Sequence, residues 1–408
     1  MIRAEGVTKI FGPDPDSVLP LLKQGKKKDE IQAETGNVVG VNNANFQVGA
    51  GEVFVIMGLS GSGKSTLIRC INRLIDPTYG KIILDDPEFG DQDIAAMDDQ
   101  TLRQMRASRM SMVFQHFALF PHRTVLSNVV YGLEVQGRDK AEREELGRKY
   151  LEMVGLGGWG DHYPDELSGG MQQRVGLARA VATEAKILLM DEPFSALDPL
   201  IKVQMQDELI KIQRELDRTI LFITHDLDEA MRIGDHIAIM EQGEIVQIGN
   251  PEEIRVNPKT HYVADFVEHA DPTGVITAGT VSLPFDEKHF DQSGEEQDVT
   301  FWHRRGYPEI RFGVDRDGKL SRMSFEGNDV SLYELETRIS EPESAPERHT
   351  DAAVYCQEDT ILKQVMKGRA YSELPVIVHD GNGRMTGVID EPELINGILE
   401  KRGYTQDD

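Results

Sequence analysis

Apolar positions follow two different periods over the first 270 or so residues. GEVFVIMG (51–58) and KILLMDE (186–192) are continuously apolar over the length of a strand, which predicts β-strands covered on both faces. Between such runs lie segments with helical spacing. RDKAEREELGRKYLEMVGL (138–156) predicts a charged amphipathic helix; with the segment around 100–107 it predicts a helical subdomain over about 95–170, inserted in the core. The alternation predicts an α/β fold with a largely parallel central sheet over residues 1–270. At Asp271-Pro272 the text becomes turn-rich and acidic, which predicts a second, smaller α+β domain over 271–408. GVDRDGKLSRMSF (313–325) and IVHDGNGRMTGVI (377–389) both read strand, Asp/Gly turn, strand, so two tandem modules are expected, 271–340 and 345–402.

Composition narrows the class. A chain of 408 residues is too long for one ordinary core. Its net charge of −26 speaks against nucleic acid as a partner, because phosphate backbones require a basic face. Residues 271–408 carry 28 acidic and 15 basic side chains, half of the excess. Two cysteines without metal spacing, Cys70 and Cys356, point to a reducing compartment. The apolar runs fall short of the roughly 20 residues of a membrane helix, and MIRAEGVTK has no signal-peptide core. A cytoplasmic chain is expected, held at a membrane, if at all, by another protein.

GLSGSGKST, from Gly58 to Thr66, follows a predicted strand and opens a predicted helix. In that context it is a phosphate-binding loop. Gly61 and Gly63 let successive N–H groups converge on phosphate oxygens, with Ser60 and Ser62 between them. Lys64 supplies a cation for the β- and γ-phosphates, and the Ser65 hydroxyl can ligate Mg²⁺. ILLMDEP (187–193) is a buried strand ending in two carboxylates. Asp191 is placed near the metal, and Glu192 is free to orient or deprotonate a water. LSGGMQQRVGLARA (167–180) sets a Ser-Gly-Gly turn before a helix, a second anion-binding helix start. One bound nucleotide already has its phosphates in the first loop, so the second start suits a nucleotide held by another subunit.

These residues resemble the ATP-binding-cassette (ABC) transporter ATPases over about residues 1–270. LSGGMQQ is similar to the family signature (Ser168, Gly169, Gly170 and Gln172), and SALD (195–198) to its D-loop with Asp198. Gln115 in VFQHFALFPH matches the glutamine that serves catalysis and the metal, and His225 in ITHDLDEA the switch histidine. Phe11 in VTKIFG falls where the family stacks an aromatic on adenine. The resemblance implies ATP and Mg²⁺, and a head-to-tail homodimer with Ser168 and Gly170 facing the partner's nucleotide. It also implies an integral-membrane permease gripped by the loop from Gln115 to about Asn128. An uninterrupted cassette with an acidic surface speaks against a soluble ATPase acting on DNA or ribosomes.

Residues 13–36 are longer than most cassettes need between Phe11 and the next strand. Local signals predict one short helix over 17–24, with Ser17 as cap and Gly25 as its end, and a second over 28–35 stopped by Gly36. Two short helices around a glycine imitate a helix-turn-helix, but the second has two turns and no third follows. With INRLIDPTYGKI and FSALDPLIKVQMQDEL, this insertion resembles the ATPase subunit of glycine betaine/proline betaine (quaternary amine) importers. That branch implies an extracytoplasmic substrate-binding protein, a peripheral site on the cytoplasmic face of the membrane, and a C-terminal pair of cystathionine-β-synthase (CBS) domains. Here GVIDEPEL puts Asp390 and Glu393 where a phosphate would be repelled, and they read instead as a helix start. Loss of residues 13–36 is expected to disturb coupling or docking and to spare ATP binding.

Overall fold

A computed structural model describes residues 1–86, 90–114, 118–195, 197–268, 272–296, 298–335 and 349–399. They form two compact units, Met1–Ile254 with Pro258–Phe266, and Arg255–Asn257 with Val267–Asp408.

In the first unit the apolar runs become the middle of a six-stranded sheet. Its strands are β3 (Val53–Met57), β6 (Met110–Val113), β7 (Ile187–Asp191), β8 (Thr219–Thr224), β9 (His236–Glu241) and β10 (Glu244–Gly249). They lie in the order β10-β9-β3-β8-β7-β6, and every pairing except β9 with β10 is parallel. Every residue of β3, β7 and β8 is buried, as continuous apolar runs require. A second sheet, which the sequence pattern did not reveal, is antiparallel in the order β2-β1-β4-β5, from β1 (Ile2–Phe11), β2 (Val38–Val48), β4 (Tyr79–Asp86) and β5 (Gly90–Asp93). Ile2, Val41 and Val48 of this sheet, Phe54 and Ile56 of β3, and Leu67 and Ile71 of the helix Lys64–Ile71 share one core.

The expected start of the helical subdomain needs correction. Residues 110–113 are an edge strand of the main sheet, and Leu102 and Met105 of the helix Asp99–Arg109 belong to its core. The helical layer consists of α-helices between Val125 and Ala182. Amphipathic spacing at 100–107 marked a helix, but spacing does not say what the helix packs on.

The insertion folds as two short helices, α1 (Leu19–Lys23) and α2 (Lys28–Thr35). Gly25 (φ 77°) and Gly36 (φ 70°) take the left-handed conformations that end them. Ser17 does not cap: its hydroxyl donates to the Asp14 carbonyl (2.8 Å), and α1 runs on from a 3₁₀ turn, Pro15–Val18. Val18 and Ile31 are fully buried against Ile10 and Val39, at the ends of β1 and β2. The half-exposed Lys26–Glu34 pair (2.6 Å) contributes at most ~1 kcal/mol, whereas one buried Ile contributes about 2–3 kcal/mol, so the apolar cluster holds the insertion in place.

The second unit has three layers around a mixed sheet in the order 283–284, 385–389, 376–379, 352–357, 331–334. Alternate residues point to opposite sides. Val354, Cys356, Val376 and Val378 meet the helices Leu362–Tyr371 and Glu391–Leu399. Ala353 and Ile377 meet Phe290, Phe312 and Met323 of a second sheet of five antiparallel strands over 290–329. The division into consecutive modules at 340 is therefore corrected. Residues 283–284 and 331–334 complete the sheet of the later module, and no helix interrupts 290–329 among the described residues. The strand–turn–strand likeness is real: Asp315 and Asp380 each accept hydrogen bonds from the N–H groups two and four residues on. Cys70 and Cys356 are free and buried, and burial pushes both thiols up to about 12.

Replacing Ile31 by Ala should lower the stability of the first unit by about 2–3 kcal/mol, seen as an earlier urea midpoint. A midpoint equal to that of the unaltered chain would show that the insertion is held by something else.

Candidate active site

β3, β7 and β8 end side by side, with Met57 opposite Thr224 and Asp191 opposite Ile223. Parallel strands with level ends bring the loops that follow them together. Those loops carry Gly58–Gly63, Glu192–Asp198 and His225.

Two glycines of the phosphate loop are required by close approach. A Cβ on Gly58 would lie 2.2 Å from the Met240 carbonyl oxygen, and one on Gly63 2.2 Å from that of Gly40. Both residues also have positive φ, 153° and 104°. The loop is braced from outside. The Gly243 N–H donates to Ser62 O (2.9 Å), and the Leu59 N–H donates to the Tyr262 hydroxyl (3.3 Å). Among the described residues the buried Ser62 hydroxyl has no hydrogen-bond partner.

Lys64 is buried, and its Nζ donates to Gly58 O (2.8 Å) and Leu59 O (3.0 Å). Burial holds the ammonium below its ordinary value, against the opposite pull of Glu192 and Asp191. Phosphate oxygens carry formal charge and form the stronger bond, so both carbonyls are replaceable partners. Asp191 is 0 % exposed and is satisfied from one helix face: Ser65 Oγ donates to Oδ1 (2.7 Å) and Arg69 to Oδ2 (3.1 Å). Arg69 was not singled out by sequence, although its position four residues after Ser65 puts it on the same face.

Glu192 sits in the left-handed region (φ 49°), and its N–H donates to Ile223 O (3.1 Å). This turn sends its side chain toward the next strand end, where His225 Nδ1 lies 3.1 Å from Glu192 Oε2. The carboxylate and the histidine, singled out separately in the sequence, thus lie within hydrogen-bonding distance of each other. Phe11 is 38 % exposed and lies against Gly40, where an added Cβ would stand 2.8 Å from its ring and 3.2 Å from Thr66. An apolar ring beside the loop is what stacking on a base requires.

Ser168 and Asp198 act as helix caps, accepting from the N–H groups of Met171 (3.3 Å) and Ile201 (3.1 Å). Gln172 Nε2 donates to Pro164 O (2.9 Å) and Leu167 O (3.2 Å), so it braces the turn before the signature. Among the described residues, no hydrogen bond bridges residues 167–172 and the phosphate loop. Ser168, Gly169 and Gly170 form a separate helix start. Gln115 lies outside the described residues.

A family model described as "ABC transporter" matches residues 41–195. The chain is 45% identical to the glycine betaine transport ATP-binding protein OpuAA of Bacillus subtilis, over 99% of this chain and 93% of that one. It is 50% identical to the glycine betaine/proline betaine transport system ATP-binding protein ProV of Salmonella typhimurium, over 98% of each. A trimethylamine N-oxide transport system ATP-binding protein of Ruegeria pomeroyi is 49% identical over 69% of this chain and 81% of its own. Among solved structures, a dimeric ATP-binding cassette in a post-hydrolysis state with ADP and Pi matches with TM-score 0.53 at 30% identity, over 62% of this chain and 99% of that one.

Replacing Glu192 by Gln should reduce ATP turnover at least ~100-fold and leave ATP binding intact, since only the carboxylate facing His225 is lost. Steady-state ATPase and nucleotide-binding assays on the same preparation check this; normal turnover in the variant would overturn the assignment of the base.

Proposed function

The chain belongs to the family of ABC-transporter ATP-binding subunits that includes those of glycine betaine and proline betaine transport systems, and from that premise we propose that it powers uptake of glycine betaine, proline betaine or a related quaternary-amine osmolyte. It is an ABC-type ATPase that works with a membrane permease. The observation that carries the solute class is the extent of the likeness, which covers 98–99% of this chain at 45–50% identity overall, well beyond the cassette residues 41–195.

The site supports a direct account of hydrolysis. Lys64 exchanges its two loop carbonyls for β- and γ-phosphate oxygens, and the N–H groups of Gly61–Ser65 close around them. Glu192 orients a water for in-line attack and takes its proton, while His225 fixes the carboxylate from the next strand end. Phe11 carries the adenine. The Ser65 hydroxyl and the Asp191 carboxylate are hard oxygen donors 2.7 Å apart, a pair that suits Mg²⁺ together with phosphate oxygens. Bound there, Mg²⁺ would neutralise charge on the phosphates. Gln115 is the third residue we assign to the metal.

We take the dimer to be head-to-tail, because among the described residues no hydrogen bond joins the signature turn to the phosphate loop of the same chain. Ser168 and Gln172 are engaged within their own turn, which leaves the first-turn backbone N–H groups at Gly169 and Gly170 for a nucleotide held by a second copy. An open cleft of about 590 Å³, lined mainly by residues 161–166, borders the loop we assign to the permease at Pro121. No described helix is long and apolar enough to cross a membrane, which agrees with a peripheral subunit; we place it on the cytoplasmic face. An extracytoplasmic binding protein would select the solute. The tail is kept as a CBS-like regulatory unit without a phosphate site at residue 390. Asp390 is engaged by Arg369 (2.8 Å) and Glu393 by Arg304 (2.8 Å), and Glu393 also accepts the Asp390 N–H (3.0 Å).

Reconstituted with its permease and binding protein, the complex should accumulate glycine betaine or proline betaine with ATP, and chelation of divalent cations should stop it. Uptake of trimethylamine N-oxide with no quaternary amine transported would move the protein to the other solute class.

A further inference from the structure

The lysine triplet Lys26–Lys28 divides into three separate roles. Lys26 is tied to Glu34 (2.7 and 2.6 Å). The Lys27 N–H is capped by Glu30 (3.1 Å). Lys28, the first residue of α2, reaches out of the insertion, and its Nζ donates to the Gly61 carbonyl of the phosphate loop at 3.2 Å. Gly61 is the least enclosed of the loop's three glycines. It has φ 80°, and nothing lies within 4 Å of where its Cβ would be, so packing does not hold it. The neighbouring carbonyls have their own donors: Lys64 on Gly58 and Leu59, the Gly243 N–H on Ser62, and the Leu67 N–H on Gly63. Lys28 thus gives the Gly61 carbonyl a donor from outside the loop, as the Gly243 N–H does for Ser62. Its helix is fixed there, because Ile31, three residues on, is fully buried against Ile10, Val18 and Val39.

We propose that Lys28 is a positioning residue for the nucleoside triphosphate, holding the Gly61 peptide and adding a second positive charge beside that of Lys64. The proposal rests on the ATPase reading and is independent of the solute. The charge stands one carbonyl from the phosphate cradle, well inside the ~8–10 Å over which salt leaves it effective. The proposal departs from the expectation that loss of residues 13–36 spares ATP binding, and puts a graded contribution in its place.

Purified full-length chain tests it by equilibrium nucleotide binding and steady-state ATPase. In Lys28→Ala, the Kd and KM for ATP should rise about fivefold, the size of one partly exposed charged contact, with kcat within about twofold. AMP, which lacks the β- and γ-phosphates, should bind as before. Lys28→Arg should recover most of the loss, and Lys26→Ala should match the unaltered chain. Unchanged ATP affinity in Lys28→Ala would overturn the proposal, as would equal losses for ATP and AMP or an equal loss in Lys26→Ala. An unaltered chain that fails to bind ATP at all would instead sink the ATPase reading.

Discussion

Asp191 is a carboxylate with no exposed surface at the end of a strand whose other residues are all apolar. A buried charge without partners costs several kcal/mol, so the fold must bring donors to it. They come from one helix face, Ser65 and Arg69, and that requirement ties the helix after the phosphate loop to the end of β7. Most of the site depends on this tie. It sets Lys64 at the helix start, leaves the next carboxylate, Glu192, turned toward β8, and puts His225 within reach of it.

The phosphate loop shows how little packing the chemistry leaves to hold it. A ligand claims several of its N–H groups, so its carbonyls draw on donors from elsewhere in the chain as well as from Lys64. The structure does this with backbone from Gly243, with Lys64 curled onto Gly58 and Leu59, and with Lys28 on Gly61. Gly40 and Met240 close in so tightly that only glycine fits at positions 63 and 58. The insertion therefore reaches the nucleotide site, held there by four buried aliphatic residues and not by the charges that dominate its sequence.

The tail illustrates a different economy of charge. Its acidic side chains include two at the start of the last helix, where Arg369 and Arg304 neutralise them while they also serve as cap and third-position partner. The twin aspartate turns at 315 and 380 are alike because each makes the same two backbone bonds, and the Met385 N–H joins the two hairpins by donating to Gly318 O (3.0 Å). Local likeness of that sort is visible in the text, whereas membership of a sheet is not.

The amino-acid sequence by itself determined what depends on neighbours along the chain. It fixed the buried strands, the phosphate loop at their end, the paired acids at 191–192, the two helices of the insertion and the glycines that stop them. Each follows from backbone conformation, hydrophobic period or a motif a few residues long. Tertiary structure decided what depends on long-range pairing: the antiparallel sheet of β1, β2, β4 and β5, the place of 110–113 in the main sheet, and the interleaved strands of the tail. It also decided the partners that reach a site from distant segments, among them Tyr262 and Lys28. Ser17 and Gln172 carry the right chemistry for the tasks their sequence suggests, yet both use their hydrogen bonds on nearby carbonyls. A polar side chain satisfies whichever partner the folded chain brings nearest, and only the folded chain fixes which one that is.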